Sequence, residues 1–132
     1  NIVSVSPGRT APGMSCITVV VDSDKRSVDR VIASISKVIN VLQVEDLGDR
    51  QAVSRDMALV KVASTGRALV DRLLIEGRAR LIDSGETTVT LELTGSPERI
   101  DLAIRELEAT GIVEMVRSGG IALGRGDETL KR

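Results

Sequence analysis

The feature that most constrains this chain is a repeat. Sliding the sequence against itself by 72 residues lays Ile17, Val19 and Val21 on Val89, Leu91 and Leu93 with no gap. The same register lays Val28, Val31, Ile32 and Ile35 on Ile100, Ala103, Ile104 and Leu107, then Val41 and Val44 on Val113 and Val116. A repeat of this size means that one supersecondary pattern is used twice. It has to be read before any single motif.

The pattern is plainest in the second copy. Thr88-Val89-Thr90-Leu91-Glu92-Leu93-Thr94 alternates apolar with polar residues, the period of a half-buried strand. A helix follows, with Ser96 as N-cap, Pro97 at the first helical position and Glu98 in the first turn. Ile100, Ala103, Ile104 and Leu107 form its apolar stripe. Gly111 stands where a left-handed C-terminal stop is wanted, and Ile112 to Arg117 closes the copy as a strand. Ahead of Thr88 lies a further half-unit. It comprises a strand over Asp56 to Ala63, a short helix over Gly66 to Ile75, and a strand over Ala79 to Ser84. The helix would bury Leu69, Val70, Leu73 and Leu74. Residues 55–117 therefore spell β-α-β-β-α-β, a split βαβ or ferredoxin-like unit of the α+β class, an antiparallel sheet with both helices on one face.

The first copy is shorter. Its opening Asn1-Ile2-Val3-Ser4-Val5 corresponds to the second strand of the unit, and Pro7 to Gly13 reads as a loop into the strand around Cys16. Ser27 is the expected cap of a helix whose stripe runs Val28, Val31, Ile32, Ile35, Val38 and Ile39. Val41 to Glu45 is the expected closing strand. Residues 1–46 thus read as ββαβ, a partial module without the opening βα, joined by a polar linker over 47–54 to the complete module at 55–117. Residues 118–132 read as a C-terminal arm, with Ile121 and Leu123 available to dock on a neighbour. A sheet short of one strand and one helix exposes apolar surface and open edges, so a second chain is expected to complete it.

Composition narrows the function. With 18 basic and 19 acidic residues the chain lacks the basic excess of a general nucleic-acid binder. It has neither a transmembrane span nor a signal-peptide pattern. The lone Cys16 lies in an apolar run and reads as a small buried hydrophobe, which with the rest implies a cytoplasmic setting. There is no histidine, which excludes Ser-His-Asp and Cys-His machinery and any metal site built from His and Cys. Asp22 with Asp24 suits a turn, and Glu106 with Glu108 would face apart on a helix, so neither pair is a catalytic dyad. The Ser118 to Gly126 tract lacks the spacing of a phosphate-binding loop. No catalytic residue, metal site or cofactor of the chain's own is expected. Phe, Tyr and Trp are absent as well as His, which points to redesign to a reduced alphabet on a trimmed natural scaffold.

Six segments carry a family likeness, in the family's own order. They are Asn1 to Val5, Asn40 to Leu47, Arg55 to Val62, Arg78 to Asp83, Thr94 to Asp101, and Glu114 to Gly126. Together they resemble the small regulatory subunit of acetohydroxyacid synthase (acetolactate synthase), a family built of ACT-type modules. The chain departs from the family's pattern at Glu76 and Gly77, near which the family usually carries an aromatic. The family's opening strand and Gly-containing loop also have no counterpart here. The resemblance implies a non-catalytic protein that binds the catalytic large subunit, raises its activity and confers valine feedback inhibition. Thiamine diphosphate, flavin and magnesium would belong to that partner. It further implies pairing of first modules in a homodimer or higher oligomer, with valine at that interface. Asn1 matches the family's effector-binding Asn, and its amide has the donors and acceptor to hold an amino acid. Ile2 would supply an apolar wall. Two other readings stand beside this one: a scaffold that folds and oligomerises without regulating anything, and an ACT-like amino-acid sensor attached to another enzyme.

Overall fold

A computed structural model describes residues 1–48 and 52–130. Asp49, Arg50 and Gln51 of the expected linker, and Lys131 and Arg132 of the expected arm, lie outside the described residues. The chain divides into two compact units, Asn1–Ser54 with Gly120–Arg132, and Arg55–Gly119.

The second unit is the complete pattern. Its elements are β3 (Ala52–Ala63, beginning in the first unit), α2 (Arg67–Ile75), β4 (Arg80–Ser84), β5 (Thr88–Gly95), α3 (Pro97–Glu108) and β6 (Ile112–Arg117). The strands stand in the order β4-β5-β3-β6, all antiparallel along that path. Alternation along β3 and β5 decides the core. Ala58, Val60 and Val62 sit opposite Leu93, Leu91 and Val89, and all six are buried. Val70 and Leu73 of α2 join Ile100, Ala103, Ile104 and Leu107 of α3 in the same cluster, so both helices cover one face of the sheet. Burying one such side chain as fully as Leu91 or Leu107 contributes about 1.5–3 kcal/mol.

The ends of α3 are set by local chemistry. Ser96 accepts the Arg99 N–H at 3.4 Å, and Pro97 fills the first helical position, where no N–H is needed. After the helix, Gly111 takes φ +84, the conformation that favours glycine. Gly66, just before α2, is held for another reason: a Cβ there would fall 2.6 Å from Thr110 Cβ.

The first unit differs from expectation in four places. It holds β1 (Ile2–Ala11), β2 (Met14–Val21), α1 (Lys25–Ile35) and β7 (Ile121–Gly124). The strand β1 runs through the expected Pro7–Gly13 loop, and the chain turns only at Pro12-Gly13. Pro7 pairs with Ile17, as an open-edged ribbon permits. Asp24, not Ser27, caps α1: its carboxylate accepts the Ser27 N–H at 2.8 Å, and a negative charge suits a helix N-terminus. The stripe stops short of Val38 and Ile39, which are exposed beyond the helix. There Ser36 Oγ donates back to the Ile32 carbonyl at 2.7 Å and a turn follows.

Finally, Val41 to Glu45 is not a strand. In the second unit the closing strand β6 pairs with β3. Residues 1–46 contain no counterpart of β3, so this segment finds no ladder to join. The ββαβ reading of the first copy becomes ββα, and its only sheet is the ribbon β1-β2. The strand β7, within the expected arm, pairs with β3, whose first residues Ala52 to Ser54 belong to the first unit. The α+β, ferredoxin-like class holds. No helix among the described residues is long and apolar enough to cross a membrane.

Candidate functional site

Asn1 and Ile2 stand where the ribbon begins. Ile2 pairs with Val21, and the ladder shifts by one residue before Ser4 meets Val20. The Asp22 N–H donates to the Asn1 carbonyl at 2.9 Å, which extends the pairing to Asn1. Its side-chain amide makes no hydrogen bond with a described residue, leaving both donors and the acceptor open. Ile2 is 66% exposed, and Val3, Val5 and Ile17 nearby on the ribbon are more than half exposed. The backbone thus brings Asn1 and Ile2 to one end of the ribbon, beside an apolar surface, without enclosing them.

Among the described residues, two clusters of ion pairs stand in the second unit. Asp56, 5% exposed, receives Arg117 Nε at 2.5 Å, the Ser118 hydroxyl at 3.0 Å and its neighbour Met57 N–H at 2.8 Å. The same guanidinium donates to Asp101 and to the Pro97 carbonyl at 3.2 Å. One arginine therefore ties the start of the unit, the first turns of α3 and the end of β6 together. Burial works against its charge, yet the hydrogen bonds to Asp101 and Asp56 outweigh that and hold its pKa above the ordinary value. A signal for this cluster was present. Asp56 is in phase with core-facing Ala58, Val60 and Val62, and a carboxylate at such a position needs a cation. Arg117 lies opposite Ala58, on the same face.

A second cluster lies at the helix surface. Arg78 donates to Glu106 at 2.6 Å and to Glu76 at 3.1 Å. The bond from Arg78 holds the Glu106 carboxyl below its usual range. Both clusters tie their carboxylates to arginine, an arrangement that fixes geometry. Beside Arg78 a cleft of about 60 Å³ is lined by Arg99, Ile100 and Ala103 among others. That is well short of the roughly 300 Å³ at which ligand pockets begin.

Comparison with known proteins gives a consistent result. The family model for the small subunit of acetolactate synthase matches residues 55–126. The acetolactate synthase small subunit of Mycolicibacterium smegmatis is 33% identical over 129 residues, covering 96% of this chain and 76% of the relative. The probable acetolactate synthase small subunit of Methanothermobacter thermautotrophicus is 30% identical, covering 98% of this chain and 80% of the relative. Among solved structures, the crystal structure of the acetolactate synthase small subunit from Thermotoga maritima matches with a TM-score of 0.84 and 26% identity. The match covers 97% of this chain and 82% of that one. The match reaches both copies of the repeat, including the unit that closes no core of its own. With a family model over more than half its length and relatives aligned along nearly all of it, the chain belongs to the acetolactate synthase small-subunit family.

Proposed function

We propose that the chain is the regulatory subunit of an acetohydroxyacid synthase in branched-chain amino-acid biosynthesis, acting in the cytoplasm. In this reading it is not itself an enzyme. It binds the catalytic large subunit, raises its activity and makes it sensitive to valine. Thiamine diphosphate, flavin and magnesium sit on the catalytic partner. The observation that carries the reading is the family match along nearly the whole chain. The open first unit supports it, because a ribbon with Val5 and Ile17 more than half exposed suits burial against another chain. We assign that role to a second copy, giving a homodimer or higher oligomer, with valine held by Asn1 and Ile2 at the shared surface. An effector bound there acts by its different affinity for two arrangements of the subunits.

The test is to mix the purified chain with a catalytic subunit and follow acetolactate with and without valine. Activation together with valine inhibition supports the full proposal, and Asn1→Ala should then weaken inhibition while leaving activation in place. Activation without a valine response leaves the partner surface and removes the effector site. No effect of any kind overturns the proposal. It would favour an inert reduced-alphabet scaffold, a reading drawn from the absence of Phe, Tyr, Trp and His.

A further inference from the structure

We draw no further inference here: the strongest candidate, the open face of the second unit's sheet around Met57, Leu59 and Val116, carries nothing because nothing in the structure shows what covers it.

Discussion

The two units are spelled with similar residues and reach different ends. Val5 and Ile17 in the ribbon are 53% and 59% exposed, whereas Val60 and Leu91 in the sheet have no exposed surface. Alternation of apolar residues makes a strand in both places. What separates them is the number of layers that follow. In the second unit four strands and two helices close on one cluster. In the first, one helix accompanies a two-stranded ribbon and the short strand β7, and no apolar residue among those described becomes fully buried. Local pattern supplies elements; a core needs enough of them to exclude water from both sides of each apolar stripe.

The comparison is broken most severely by cutting the chain at its boundary. A piece spanning residues 55–119 should melt cooperatively, and one spanning 1–54 should not. Far-UV circular dichroism is the suitable reading, since the chain has no aromatic side chain to report by fluorescence. A cooperative melt of the 1–54 piece as a monomer would show that the ribbon and α1 suffice. The next largest contrast is a pair of truncations followed by urea unfolding. Leu91→Ala should cost about 2–5 kcal/mol, and Ile17→Ala less than about 1 kcal/mol. If the cost of Ile17→Ala grows as protein concentration rises, a second copy is covering the ribbon.

Arg117→Met tests the ion cluster. It strands Asp56 in a buried position and should cost about 2–3 kcal/mol. Adding Asp56→Asn should recover part of the loss, because the neutral amide needs no cation. Ser96→Ala removes the cap of α3 and should cost about 1 kcal/mol.

The smallest effect is acid sensitivity in the first unit. Asp24 is held below its ordinary value of 3.8, chiefly by accepting the Ser27 N–H. A folded-state value below the unfolded one means that its contribution is intact above pH 3.8 and fades as pH falls through the folded value. Helix signal lost below that point should lack this component in Asp24→Ala. An unchanged acid profile in the variant would remove Asp24 from the account.

Much of this was legible in the residues. The second unit's element order, the cap at Ser96 and the stop at Gly111 follow from short-range rules that the environment did not override. What went unread depends on distant partners. Val41 to Glu45 has the composition of a strand, and whether it forms one depends on a neighbour that lies outside the local pattern. The Asp56–Arg117 pair joins residues far apart in sequence, and only the strand register places them on one face. Asp24 displaced Ser27 as the cap for a smaller reason: two good capping residues stood close together, and sequence pattern does not rank them. The proposal of Asn1 and Ile2 as effector residues rests on family likeness alone, since an exposed Asn at a strand start carries no physical mark of a ligand.

The central position of β3 has a consequence for how the protein is made. It is the first strand of its sheet to leave the ribosome, yet its partners are β5 and β6, which come later in the chain. At about 5–20 residues per second, both edges of β3 wait on the order of seconds before Arg117 has been added. The β1-β2 ribbon, closed by a turn at Pro12-Gly13, has no such delay, since hairpins form in about 1–10 μs. The unit with the closed core is therefore the one whose central strand waits longest for its partners, and that strand carries the charged residues Arg55 and Lys61.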